Sequence, residues 1–108
     1  INVGEYIYKF VQNLYQKNTN KIYNANWQDY NCLLLNSTHK GSNQFELYEN
    51  YQDYDLLISW NYNGKKYIYS VYSSNPKINC GEICKMFLNG GGHKGAGGGE
   101  SLKFILDI

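Results

Sequence analysis

A glycine-rich stretch from Asn89 to Gly99 holds the residues of this chain best suited to bind a ligand. It contains seven of the 11 glycines of the chain and places His93 and Lys94 side by side among them. Glycine leaves the backbone bare, and successive unobstructed N–H groups can form a concave cradle for an anion. His93 and Lys94 would add donors beside that cradle. The pattern therefore predicts an anion-binding loop.

The same stretch is compatible with two other interpretations. A glycine-rich segment can be a flexible linker, although linkers rarely place His, Lys and Ala between two amphipathic segments. Gly90, Gly92 and Gly95 match the G-x-G-x-x-G spacing of a dinucleotide-binding loop, but that loop follows a strand and opens a helix, the reverse of the order predicted here. A Walker loop is excluded because no Gly-Lys-Ser/Thr follows.

The three cysteines, Cys32, Cys80 and Cys84, are odd in number, and reduced thiols are the simplest interpretation. Cys80 and Cys84 lie four residues apart on a predicted helix, but zinc would need two more ligands, and the only histidines are His39 and His93. No metal site is therefore predicted. A nucleophilic pair of Cys80 or Cys84 with His93 remains an enzymatic alternative.

Composition and charge limit the classes of function that the chain can have. The 108 residues suit one domain, and the hydrophobic fraction of 43% suffices for a core. The net charge of +1 excludes non-specific attraction to nucleic acid or membrane, so an anionic partner needs a local site. All ten basic residues are lysines. With no membrane-length apolar run, no signal peptide and Ile1 as the first residue, we expect a cytoplasmic piece of a longer protein.

Hydrophobic periodicity predicts the elements that must position the loop. Asn63-Gly64 is a strong hairpin signal, and Asn79 with Glu82 three residues later predicts a capped helix that leads into the glycines. The order is α β β α β β α β, which predicts an α/β (α+β-like) fold with a mixed central sheet of about five strands flanked by helices. The predicted helices are 2–17, 43–50 and 80–88, and the predicted strands are 21–27, 30–35, 55–62, 66–73 and 101–108.

Three segments together resemble a known family. They are Val71-Tyr72-Ser73-Ser74, the helix from Asn79 to Phe87, and Gly90-Gly91-Gly92-His93 with Ala96-Gly97-Gly98. Residues 30–108 resemble the C-terminal substrate-binding domain that follows the catalytic domain of DHH-family phosphoesterases, whose signature is a helix followed by GGGGHxxAAG. The chain departs from that pattern at three positions: Asn89 replaces the first glycine, Gly97 replaces the second alanine, and Tyr72 stands where many members have an arginine.

The resemblance implies a role for each matching residue. The glycine loop would face the metal-bearing cleft of the catalytic domain and hold the phosphate, sugar or base of a nucleotide. Gly90, Gly91 and Gly92 would offer backbone donors, and His93 would bond a phosphate oxygen. Tyr72, Ser73 or Lys94 would substitute for the arginine. The remaining matching residues, Ala96, Gly97 and Gly98, would complete the turn.

The function implied is substrate binding for metal-dependent phosphodiester hydrolysis. The ligand would be a short oligonucleotide, single-stranded nucleic acid or a cyclic dinucleotide. Mn or Mg ions would lie in an upstream catalytic domain, because this chain has no Asp-His-His and is not expected to catalyse by itself. A stand-alone nucleotide-sensing module and the glycine-rich domain of an alanyl-tRNA synthetase remain alternatives, and the sequence leaves the oligomeric state open.

Overall fold

A computed structural model describes residues 22–38 and 41–106, and the helix predicted over residues 2–17 lies outside them. The elements are β1 (Tyr23–Trp27), β2 (Tyr30–Asn36), β3 (Leu56–Tyr62), β4 (Tyr67–Tyr72), α1 (Cys80–Phe87), β5 (Gly91–Gly92) and β6 (Ala96–Ser101). The strands form one six-stranded sheet in the order β1-β2-β3-β4-β6-β5. Among these strands only β2 and β3 pair in parallel, so the predicted mixed sheet is confirmed.

The hairpin between β3 and β4 follows from the local chemistry of its turn. The side-chain oxygen of Asn63 accepts from the amides of Lys65 and Lys66 at 2.9 and 2.8 Å. Gly64 has φ 96°, a left-handed conformation that glycine adopts without a steric penalty. The turn fixes the register in which Tyr62 lies opposite Tyr67, and therefore fixes where β4 ends.

The core fills both faces of the sheet. On one face, α1 packs through Ile83 and Cys84 onto side chains of the central strands, including Ile58 and Val71. The opposite face is covered by the connection between β2 and β3, where Phe45 is fully buried. Its cluster contains Ile22, Leu33, Leu35, Phe45 and Leu57. Both faces are thus apolar, which is the pattern predicted for the central strand β2.

Helix α1 begins at the predicted cap. The side chain of Asn79 accepts from the amide of Glu82 at 3.1 Å, and the flanking Ile78 and Ile83 are both buried. The helix ends at Phe87, and Asn89 beyond its cap has a φ of 51° in the left-handed region, while the amide of Gly90 donates to the carbonyl of Cys84 at 3.1 Å. This helix is therefore specified at both ends by its own sequence.

Replacing Asn79 with Ala should lower the free energy of unfolding by about 1 kcal/mol, the usual cost of losing a helix N-cap. Urea denaturation followed by circular dichroism measures it. Asn79→Ser, which retains an acceptor at the cap, should recover most of the loss. Equal losses in the two variants would show that the cap bond contributes nothing.

Two predicted elements are wrong. The segment 43–50 is not a helix: 3₁₀ turns occupy Ser42–Phe45 and Tyr51–Asp53, and Asn50 between them has φ 60°, which an α-helix cannot continue through. The last strand is not 101–108, because β4 pairs with the glycine-rich β6 instead. The described part of the chain therefore has one α-helix on the sheet rather than several flanking helices.

The segment after β6 is irregular, but it still contributes to the core. Leu106 is fully buried and Phe104 stacks on Trp60 with a centroid distance of 4.6 Å, whereas Leu102 is exposed. The alternating apolar residues of this segment thus anchor an irregular chain to the core and do not pair as a strand. Within the described residues, no helix is both long and apolar enough to cross a membrane.

Candidate functional site: the tip of the glycine hairpin

The glycine-rich stretch folds into a β-hairpin rather than an open loop. Gly91 and Gly92 of β5 lie opposite Gly98 and Gly97 of β6. The amide of His93 donates to the carbonyl of Ala96 at 2.7 Å and closes the hairpin. This leaves Lys94 and Gly95 at the tip, and the side chains of His93 and Lys94 are exposed there.

The N-terminus of α1 holds this tip in place. The amide of Cys80 donates to the carbonyl of Lys94, and the amide of Gly81 donates to the carbonyl of His93, each at 2.8 Å. The amide of Glu82 donates to the side chain of Asn79. The first three amides of the helix, which could otherwise bind an anion, are therefore already occupied. The helix therefore positions the tip and does not itself offer a ligand site.

Two consecutive amides of the tip point to no protein acceptor. Among residues 22–38 and 41–106, the N–H groups of Lys94 and Gly95 take part in no hydrogen bond with the rest of the chain. Both residues are exposed, so water or a ligand can reach these donors. Adjacent free amides, with an ammonium group and an imidazole beside them, form a small site suited to an anion.

Most of the other glycines serve close packing of the backbone. The amide of Gly90, a predicted donor, is occupied because it donates to the carbonyl of Cys84, and a Cβ on Gly90 would overlap the carbonyl oxygen of Gly98. A Cβ on Gly97 would lie 2.8 Å from the Cys84 sulfur. A Cβ on Gly81 would lie 2.6 Å from the carbonyl oxygen of Gly92. Gly97 and Gly81 thus let the hairpin and the helix approach closely, and Gly90 lets the chain that leaves the helix approach β6.

The structure brings Tyr72 and Ser73 beside the tip. Tyr72 is the register partner of Ala96, and the amide of Ser73 donates to the carbonyl of Gly95 at 3.2 Å. The Ser73 hydroxyl donates to the carbonyl of Asp55 at 2.7 Å, so its proton serves to fix the loop after β4. The two parts of the predicted site, more than 20 residues apart in sequence, are therefore adjacent.

A cleft of about 290 Å³ opens beside the tip. One side is built from predicted residues and their neighbours, namely Tyr72, Ser73, Ser74, Gly95 and Ala96. The other side comes from the connection between β2 and β3 and contains Ser42, Glu46, Tyr51 and Gln52, with the buried Leu57 completing the lining. The candidate site therefore combines an exposed tip that carries two free amides with a concave pocket next to it.

The second side of the cleft was not predictable from the sequence. Ser42, Glu46, Tyr51 and Gln52 carry no motif, and only Glu46 falls within a predicted element, the helix 43–50. They reach the site because β2 and β3 are parallel, so their connection must cross the face of the sheet. The only sequence signal was that this connection is rich in polar residues.

The cysteines are poorly suited to nucleophilic chemistry. All three are free and buried, and burial raises the pKa of the Cys32 thiol to about 12 and those of Cys80 and Cys84 to about 11. A nucleophile needs the thiolate, which burial disfavours. Within the described ranges, no three His, Cys, Asp or Glu side chains are grouped to hold a metal ion.

Iodoacetamide should therefore modify the folded protein slowly. At pH 8 a thiol with a pKa near 11 is ionised in about one molecule in a thousand, against roughly one in four for an ordinary cysteine. We expect alkylation of all three cysteines to be at least 100-fold slower than in urea, as measured by mass spectrometry over time. A thiol that reacts rapidly in the folded state would revive the Cys–His alternative.

Comparison with known proteins places the fold among solved structures. No protein-family model matches the chain, and no curated protein sequence matches it. An uncharacterized protein from Helicobacter pylori G27 is similar over 78% of this chain, with 31% identity and a TM-score of 0.58. The pGpG-specific phosphodiesterase PggH from Vibrio cholerae is similar over 88% of this chain, with 19% identity and a TM-score of 0.61.

Both of these proteins are much longer than the region they share with this chain. The chain corresponds to 24% of the Helicobacter protein and 34% of the Vibrio enzyme. The likeness to the Vibrio enzyme, at 19% identity, establishes a shared fold. The fold of this chain is thus also found within a larger phosphodiesterase.

Proposed function

We propose that this chain is the substrate-binding domain of a DHH-type phosphoesterase and binds a phosphate of a short oligonucleotide, single-stranded nucleic acid or cyclic dinucleotide. The observation that carries the proposal is the hairpin tip, where the free amides of Lys94 and Gly95 lie beside two exposed donor side chains. An anion there meets donors that need no rearrangement, because α1 already holds the carbonyls of His93 and Lys94, which belong to the same two planar peptide groups as the free amides.

Two further observations support the proposal. The predicted residues of β4 and of the glycine run meet at one edge of one cleft, as a shared ligand site requires. The fold is also found in a pGpG-specific phosphodiesterase, a protein that acts on a phosphorylated dinucleotide. A protein that shares this fold over part of its length thus acts on a nucleotide phosphodiester, which supports a nucleotide-related role for this chain.

We assign substrate binding and catalysis to different domains because of the residues that this chain contains. In the described ranges no cluster of acidic, His or Cys side chains fits a metal, so we assign the Mn or Mg ions to an upstream domain. Such ions supply an activated water for attack on the phosphoester. This chain would contribute orientation: the amides of the tip and His93 fix the terminal phosphate, and the cleft accepts the adjoining nucleoside.

The test compares one ligand with and without its phosphate. Isothermal titration calorimetry on the 108-residue chain would measure affinity for 5′-phosphorylated diguanylate and for the same dinucleotide lacking the 5′-phosphate. We expect the phosphate to increase affinity at least tenfold at low salt, with a smaller gain at high salt because the site is exposed. Equal affinities for the two ligands would refute a phosphate site.

A further inference from the structure

We infer that the cleft binds the base of the nucleotide and prefers guanine, an inference that rests on the proposed phosphate site. Gly95 lines the cleft, and Lys94 precedes it in the chain, so their Cα atoms are about 3.8 Å apart. A nucleotide whose phosphate meets the tip therefore has its nucleoside at the mouth of the cleft.

The cleft has fixed aromatic walls for a flat ring. Tyr72 and Tyr51 are half-buried and pack against the core cluster beneath them. The hydroxyl of Tyr72 accepts from the amide of Gly41 at 2.8 Å, and that of Tyr51 accepts from the Gln52 side-chain amide at 3.0 Å. Each ring is thus anchored at its polar end, which preserves an apolar surface for stacking against a base.

Two side chains on one side of the cleft, Glu46 and Gln52, present hydrogen-bond acceptors. Glu46 is exposed, and its carboxylate takes part in no ion pair or hydrogen bond with the described residues. Gln52 uses its amide group on Tyr51, which leaves its carbonyl oxygen as an acceptor. The Glu46 charge also repels a phosphate, so the ligand is oriented with its base in the cleft and its phosphate at the tip.

Guanine is the base that matches this arrangement. Its pairing edge presents two adjacent donors, N1–H and the N2 amino group, which a carboxylate can accept together. Adenine presents an acceptor, N1, beside its amino group, and that lone pair would face the Glu46 carboxylate. A pair of donors therefore distinguishes guanine from adenine at the same site.

The experiment measures binding of GMP, AMP and guanosine to the 108-residue chain and to two variants by NMR titration. We expect GMP to bind at least tenfold more tightly than AMP. Glu46→Gln should remove most of that preference and leave AMP affinity unchanged. Glu49→Gln is the matched control, because Glu49 is exposed in the same connection but does not line the cleft.

The outcomes separate this inference from the proposed function. Equal affinities for GMP and AMP, or an unchanged preference in Glu46→Gln, would overturn guanine recognition, while tighter binding of GMP than of guanosine would still uphold the phosphate site. If GMP binds no more tightly than guanosine, the phosphate site fails. Absence of binding by all three ligands would overturn both proposals.

Discussion

Replacing Gly90 with Ala is expected to destabilise the protein by about 3 kcal/mol, near the upper end for a clash that the structure cannot relieve. The new Cβ would overlap the carbonyl oxygen of Gly98. That oxygen belongs to β6, which is held between β4 and β5 and cannot move without disturbing both pairings. Urea denaturation monitored by tryptophan fluorescence would measure the loss.

The neighbouring glycine provides the control. A Cβ on Gly91 would meet no heavy atom within 4 Å, and its φ does not lie in the left-handed region. Gly91→Ala should therefore leave stability unchanged, or raise it by about 0.4–1 kcal/mol through loss of unfolded-state entropy. If the two substitutions had equal effects, the close approach of Gly90 to β6 would not be what glycine is needed for.

Replacing His93 with Ala should weaken binding of a 5′-phosphorylated dinucleotide by about 1–3 kcal/mol, the cost of losing a hydrogen bond to a charged group. The substitution should not affect folding, because the side chain is exposed and only the backbone of His93 bonds α1 and Ala96. Isothermal titration calorimetry on the 108-residue chain and on the variant measures the loss.

The specific control for His93 is the ligand without its 5′-phosphate. The variant should bind that ligand as the unaltered protein does, so that the loss is confined to the phosphate. An unchanged affinity for the phosphorylated ligand would remove His93 from the site. Weaker binding of both ligands to the same extent would place its effect on the cleft rather than on the phosphate.

The elements predicted correctly are those whose signals are local. Asn63-Gly64 specifies a turn and Asn79 specifies a cap because the bonds they make span two or three residues. The strand β6 carries no such signal: its residues are mostly glycine, and what fixes them is the approach of α1 several residues earlier. The alternation of apolar residues further along, at Leu102 to Leu106, therefore predicts a closing strand that the fold places earlier, in β6.

The three departures from the family pattern have local explanations in the structure. Asn89 occupies a left-handed φ, which asparagine tolerates better than most other residues. Alanine at Gly97 would crowd Cys84. Tyr72, in place of an arginine, uses its hydroxyl to hold the amide of Gly41. None of these could be deduced from the motif, because each depends on a neighbour brought close by the fold.

The most direct test of the account is an NMR titration of the ¹⁵N-labelled chain with 5′-phosphorylated diguanylate. We expect the amide signals of Lys94 and Gly95 to shift most, with smaller shifts at the cleft residues Tyr72 and Glu46. The turn at Gly64, at the opposite end of β4, should not respond. Binding that leaves the Lys94 and Gly95 signals unmoved, or that shifts the Gly64 turn instead, would contradict it.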